Sequence, residues 1–352
     1  KEFMVAKKMF CSTNENVKIV GLASAVPSTL VDISQEENNF GKEKILRLAK
    51  SSGLKQKYIA NSSICTSDLC LLAAKKLIKD LSWKKESIDF LIFVSQTPDY
   101  VLPATACVLQ KKLGLLSKVV AFDINLGCSG FVYGLWTISN FLSNNKGRGL
   151  LLVGDTISKI ASPDDISVKP LFGDAGTATA LEYNSKTNKS FFCLGTDGEG
   201  YKNLIVPAGS FRNKSNKITK QRKIRFDKNI RSDEDLYMNG GKIFEFTLER
   251  VEPMVNKVLE MSKWDYKNID FFIFHQANKF MIDHLVNKMD IPKNKVLYTI
   301  EKFGNTSSAS IPLSITDKLQ GKIDKKNLKI VMTGFGVGYS FGAVASSFGP
   351  IF

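Results

Sequence analysis

Histidine is scarce in this chain: only His275 and His284 occur in 352 residues. The six cysteines (Cys11, Cys65, Cys70, Cys107, Cys128, Cys193) show no paired ligand spacing, so with two histidines they describe no zinc site. No apolar run approaches the roughly 20 residues needed to cross a bilayer. The segment Lys1–Asn16 is polar and has no signal-peptide pattern. The cysteines are therefore expected to be reduced thiols of a cytoplasmic protein without a membrane partner. A dinucleotide fingerprint is also missing, because the glycines Gly334, Gly336 and Gly338 follow a strand but open no clear helix. No helix-turn-helix, zinc-finger or aromatic RNA-binding signature is present, so no nucleic-acid partner is expected.

What the chain has in excess is positive charge, a net +15. Much of it lies in Arg212–Arg225, which holds Lys214, Lys217, Lys220, Arg222 and Lys223. A solvated surface loop accounts for such a run, and an acidic protein or phosphorylated small molecule would be steered by it equally well.

The stretch Asp123-Ile-Asn-Leu-Gly-Cys-Ser-Gly-Phe-Val-Tyr-Gly134 carries the strongest chemical signal. It follows the apolar run Lys118–Phe122, which reads as a buried strand, and enters Leu135–Leu142, which reads as helix. Cys128 is then on a tight strand-to-helix turn, with Gly127 and Gly130 free to take unusual backbone angles. A thiol at a helix N-terminus is favoured as thiolate, which makes a nucleophile. An inert buried cysteine fits the same apolar setting.

Before that turn, Asn16–Leu22 reads as a first strand after a mobile extension over residues 1–15. Helical periodicity covers Glu43–Ser52, Asp68–Leu81 and the region near Ala104–Leu113, and Ile88–Val94 reads as a strand. Residues 186–352 repeat the order of residues 16–185. Ile88-Asp-Phe-Leu-Ile-Phe93 returns as Ile269-Asp-Phe-Phe-Ile-Phe274, and Trp83 as Trp264, both displaced by 181 positions. Strands are expected at Val119–Asp123 and Val296–Ile300, and again at Leu150–Gly154 and Lys329–Thr333. The turn Cys128–Gly130 has its counterpart in Asn305–Ser308. So long a repeat excludes a solenoid and implies two similar α/β halves about a pseudo-twofold axis. Pairing them brings the Cys128 turn to the Asn305 turn, with His275 in the slot of Val94 at a strand's carboxyl end, where α/β sheets place ligands.

Four motifs in order, Asn125-Leu-Gly-Cys-Ser-Gly-Phe131, His275-Gln-Ala-Asn278, Gly304-Asn-Thr-Ser-Ser-Ala-Ser310 and Gly334-Phe-Gly-Val-Gly-Tyr-Ser340, resemble those of the ketoacyl-acyl-carrier-protein synthases III. These are thiolase-like condensing enzymes, and the resemblance covers Asn16 to the C-terminus. It implies a five-layered αβαβα fold of the α/β class, an obligate homodimer, an acyl-carrier-protein partner, and no metal or cofactor. Acyl-CoA or an acyl carrier would be the donor and malonyl-carrier protein the acceptor. Cys128 would be acylated by the primer. His275 and Asn305 would donate to the malonyl thioester oxygen as carbon dioxide leaves. The backbone N–H groups of Cys128 and Gly336 would form the oxyanion hole, and Leu102 and Phe335 would shape the acyl tunnel and dimer contact, Leu102 from the neighbouring subunit.

The resemblance breaks at the substrate rim. Arg47 stands where family members stack a tryptophan on adenine, and Ser51 where an arginine meets phosphate. Phe280 replaces a carrier-docking arginine and Glu245 a lysine, leaving Asn278, Lys279 and Arg222 as candidate carrier or substrate contacts. The alternative reading is an acyltransferase to an alcohol or amine. Asparagine at 305 opposes it, since an aspartate there would orient His275 as a base.

Overall fold

The structure, a computed structural model, describes residues 9–186 and 189–351. Its first sheet uses β2 (Val17–Ala25), β3 (Phe90–Val94), β4 (Val120–Ile124), β5 (Arg148–Asp155) and β6 (Ala175–Tyr183), in the order β2-β6-β5-β3-β4. The second uses β1 (Phe10–Asn14), β7 (Ser190–Thr196), β8 (Phe271–Phe274), β9 (Leu328–Gly336) and β10 (Ser340–Phe348), in the order β1-β7-β10-β9-β8. Leaving out β1 and β4, the two orders superpose strand for strand, which is the duplication in three dimensions.

Alternation along the strands builds the layers, because successive side chains point to opposite faces. From β3, Ile92 and Val94 enter a central core while Leu91 and Phe93 enter an outer one. From β9, Ile330 and Met332 face the centre, and Val331 and Phe335 the other outside. Helices α1 (Lys42–Ser52), α2 (Thr66–Asp80), α3 (Thr105–Leu113), α4 (Gly130–Asn145), α5 (Gly240–Ser262), α6 (Lys279–Lys288) and α7 (Ser310–Lys318) complete the fold. The central core holds Phe131–Leu142 of α4 and Ile311 and Ile315 of α7 between the sheets. Helices α2 and α3 cover the outer face of the first sheet, and α5 and α6 that of the second. The result is five layers, αβαβα. None of the helices among the described residues is long and apolar enough to cross a membrane.

Four expectations are corrected. The N-terminal extension of residues 1–15 is not wholly loose: residues 1–8 lie outside the described residues, but Phe10–Asn14 is an edge strand paired antiparallel with β7. The first described strand therefore belongs to the second half's sheet. Second, the cysteines are not all free, because Cys11 and Cys193 face each other in that register and form a disulfide. Third, the strand expected to be buried at Lys118–Phe122 runs from Val120 to Ile124 at a sheet edge, with Val120 half exposed. Fourth, Val296–Ile300 is no strand; a single bridge from Val296 to Phe272 remains. The Gln276 side chain takes over there, donating to the Phe274 and Leu297 carbonyls and accepting from the N–H groups of Thr299 and Ile300. Those backbone groups are satisfied without a ladder.

Candidate active site

Cys128 sits between β4 and α4, nearly buried, in a turn whose glycines are dictated by contact. A Cβ on Gly127 would fall 2.4 Å from Gln96 Oε1, and one on Gly130 2.7 Å from Val94 Cγ1. The turn is tied to the second half by Ser129 Oγ and Ser340 Oγ, 2.6 Å apart. Burial pushes the Cys128 thiol up to about 11, and the Asp155 charge adds to that, against hydrogen bonds from the Val337 backbone N–H and the Ser307 side chain. The resting group is a thiol, so the thiolate expected from the helix N-terminus is corrected: desolvation outweighs it. Gly336 lies against Cys128, and the N–H groups of Val337, one residue on, and of Cys128 itself favour the charged sulfur. Gly336 makes room, and Val337, just past the end of β9, turns its N–H inward.

His275 follows β8 and is fixed there by its backbone N–H on the Thr333 carbonyl, 2.8 Å. Its ring is buried, edge-on to Phe335 at 5.7 Å, with Nδ1 2.7 Å from Ser310 Oγ. Burial lowers it to about 3, and the Ser307 carbonyl opposes that shift. The imidazole is neutral at physiological pH. Phe335 itself is a core residue of the outer second-half layer, placed behind the histidine.

Asn305 is held by the other half of the molecule. Its N–H donates to the Leu171 carbonyl at 3.0 Å, and its carbonyl accepts from the Gly173 N–H at 3.1 Å. Its Oδ1 accepts from the Ser307 N–H at 2.9 Å, which fixes the amide and leaves Nδ2 as its donor face. The 169–173 segment is in turn gripped by Lys57, whose ammonium bonds the Lys169 carbonyl; burial brings this lysine down to about 8. Cys128, His275 and Asn305 thus share one neighbour, Ser307: its N–H bonds the Asn305 amide, while its side chain and carbonyl lie near enough to Cys128 and His275 to oppose their shifts.

The remaining expected residues lie at the rim. Arg47 is exposed and paired with Glu43, and Ser51 Oγ donates to the Leu48 carbonyl. Asn278 caps α6 by accepting from the Met281 N–H at 2.7 Å. Lys279 pairs with Asp283, and its stem packs on Gly53, joining α6 to the end of α1. Arg222 is 3.7 Å from Asp235 on the basic loop. Leu102 is 78% exposed, beside the exposed Tyr100 and Val101. His284 packs edge-on to Phe244 at 5.5 Å. Among the described residues no three His, Cys, Asp or Glu side chains are grouped to hold a metal ion.

Sequence reasoning missed Asp155, Ser307, Ser310 and Val337. For Asp155 a signal existed: a carboxylate ends the otherwise apolar run Leu150–Gly154. The serines were hidden in a small-residue turn.

Comparison with known proteins agrees with this geometry. Residues 122–198 match the family 3-Oxoacyl-[acyl-carrier-protein (ACP)] synthase III, and residues 259–348 its C-terminal domain. A putative 3-oxoacyl-[acyl-carrier-protein] synthase 3 of Campylobacter jejuni is 35% identical over 343 residues, covering 96% of both chains. A beta-ketoacyl-[acyl-carrier-protein] synthase III of Bacillus cereus is 32% identical, covering 95% of this chain and 99% of its own. Among solved structures, a 3-oxoacyl-(acyl-carrier protein) synthase from Burkholderia xenovorans superposes with a TM-score of 0.93 at 42% identity, over 98% of this chain and 97% of the other. With the duplicated fold and the shared neighbour of Cys128, His275 and Asn305 already in place, the chain belongs to the 3-oxoacyl-[acyl-carrier-protein] synthase III family of condensing enzymes.

Proposed function

We propose that this protein joins an acyl primer to a malonyl unit on acyl-carrier protein with loss of carbon dioxide, in acyl-chain biosynthesis in the cytoplasm. The observation that carries the reading is the gathering of Cys128, a neutral His275 and the Asn305 amide around Ser307, whose N–H bonds Asn305 Oδ1. In the first step the Cys128 sulfur bonds to the primer carbonyl carbon, the old thioester C–S bond breaks, and the thiol proton leaves with the departing thiol. In the second, the bond from the malonyl methylene to its carboxylate breaks and carbon dioxide leaves. The electron pair moves to the thioester oxygen as an enolate, held by His275 and Asn305 Nδ2. When the Ser310 hydroxyl, 2.7 Å from Nδ1, donates to it, Nε2 carries the ring proton that His275 would offer. The enolate carbon then attacks acyl-Cys128, whose tetrahedral oxygen is held by the N–H groups of Cys128 and Val337. The sulfur leaves and takes up a proton.

The carrier protein is proposed to dock at the loop 211–226, which contains no acidic residue. Phe211 and Phe226 there are 77% and 84% exposed among the basic side chains, Arg222 included. The loop is rooted next to the chemistry, because Leu236 packs with Leu171 and Phe172, the segment that holds Asn305. A homodimer is proposed from the exposed Tyr100–Leu102 tip and the half-exposed edge at Val120. No carboxylate is bonded to His275 among the described residues, which weighs against the acyl transfer to oxygen or nitrogen that a histidine base would serve.

Intact-mass analysis with acyl-CoA and acyl-carrier donors, then malonyl-carrier protein, tests the reading. Acylated Cys128 and a carrier that gains a 3-oxoacyl chain are expected. Acylation with the malonyl carrier left untouched would overturn it.

A further inference from the structure

Asp155 ends β5 fully buried, and among the described residues no lysine or arginine pairs with it. Its two oxygens divide the molecule. Oδ1 accepts from Gln96 N at 2.7 Å, Ser95 Oγ at 3.0 Å and Thr97 Oγ1 at 3.3 Å, all on the loop after β3. Oδ2 accepts from Ser308 Oγ at 2.6 Å and Ser308 N at 3.3 Å, in the turn that follows Asn305. Each arm leads to a reacting group. Gln96 Oε1 lies over Gly127, the residue before Cys128, close enough that a Cβ there would be 2.4 Å away. Ser308 adjoins Ser307, whose N–H fixes Asn305 Oδ1.

A neutral side chain of this size does not replace the arrangement. Five donors converge on two acceptor oxygens, and an amide turns one of those oxygens into a further donor. We propose that Asp155 is a positioning residue that sets the distance between the Cys128 turn and the Asn305 turn across the interface of the two halves. Its effect on the second turn rests on the condensation reading above, whereas its effect on Cys128 does not. Burial raises the thiols of both Cys128 and Cys70, and the Asp155 charge adds to each; burial raises the Asp155 carboxyl as well, so that charge is present above its raised value, while the other titratable group at the shared turn, His275, is neutral.

The test uses Asp155→Asn and Ser308→Ala in the full chain. The pH dependence of Cys128 alkylation by iodoacetamide, read by peptide mass mapping to exclude Cys70, is measured beside carbon dioxide release from malonyl-carrier protein. Asp155→Asn is expected to move the alkylation midpoint to lower pH, since the nearby negative charge is gone, and to slow decarboxylation about 100-fold, the cost of misplacing groups by about 1 Å. Ser308→Ala removes the Oγ donor of one arm and keeps the charge, so its alkylation midpoint stays while decarboxylation falls at least about tenfold. An unmoved midpoint in Asp155→Asn, or wild-type decarboxylation in Ser308→Ala, overturns the proposal. If Asp155→Asn does not fold, Ser308→Ala decides it alone. Wild-type enzyme that releases no carbon dioxide sinks the condensation reading instead, and the alkylation arm then judges Asp155.

Discussion

Gly336 stands so close to Cys128 that a Cβ on it would lie 2.6 Å from the cysteine Cβ and 2.7 Å from its sulfur. Both contacts are shorter than carbon or sulfur tolerates, and the second half's strand β9 cannot retreat without lifting the Val337 amide off the sulfur. Gly336→Ala is therefore expected to slow Cys128 acylation by about 100-fold or more. Mass-resolved acylation rates check this, and acylation at the wild-type rate would show that the turn yields freely.

Asn305 has its Oδ1 occupied by the Ser307 N–H, which leaves Nδ2 as the donor that the proposed reaction would use. Asn305→Asp keeps that acceptor but replaces the donor with a second acceptor and a charge that repels the enolate. Malonyl decarboxylation should fall by about 10²–10³, as for loss of one oxyanion donor, while primer transfer to Cys128 continues. Equal loss of both steps would mean that Asn305 acts on the fold rather than on the enolate.

His275 is buried neutral with its folded value lowered to about 3. The unfolded chain, with an ordinary histidine near 6.5, binds a proton between these values that the folded chain does not. Stability from this group is complete above about pH 6.5 and is lost as pH falls toward 3, by about 1.4 kcal/mol per pH unit. Asp155 and Asp174, whose values are raised, act with the opposite sign. Comparing His275→Gln with wild type isolates the histidine: the variant's denaturant midpoint should drop less between pH 7 and pH 5. Parallel curves would mean that the ring is charged in the native state.

The Cys11–Cys193 bond leaves Cys65, Cys70, Cys107 and Cys128 as thiols. Alkylation of the unfolded, unreduced protein should add four labels, rising to six after reduction. Six labels before reduction would show that β1 is held by its ladder alone.

The sheets and helices of each half were legible because buried strands such as Phe90–Val94 are short apolar runs and the helices carry their own period. The repeat of Ile88–Phe93 at Ile269–Phe274 disclosed the duplication, and the motif residues Cys128, His275 and Asn305 could be picked out by type and place. Where a local pattern failed, a partner far along the chain had taken over. Val296–Ile300 looks like a strand, but Gln276 satisfies its backbone; Phe10–Asn14 looks like a loose end, but β7 pairs it. Val120 reads as buried, yet nothing in its neighbours reveals that its strand is the last of its sheet.

Composition, the internal repeat and motif order alone thus determined the class of fold, its doubling and the three candidate side chains, since each depends on residues close in sequence. The protonation states of Cys128 and His275, the approach of the Val337 N–H to the Cys128 sulfur, and the contacts of Asp155 with the loop after β3 and the turn after Asn305 were decided only by tertiary structure. The protonation states depend on desolvation, and the Asp155–Ser308 contact joins segments 153 residues apart; burial is a property of the assembled interior, which no local stretch of sequence encodes.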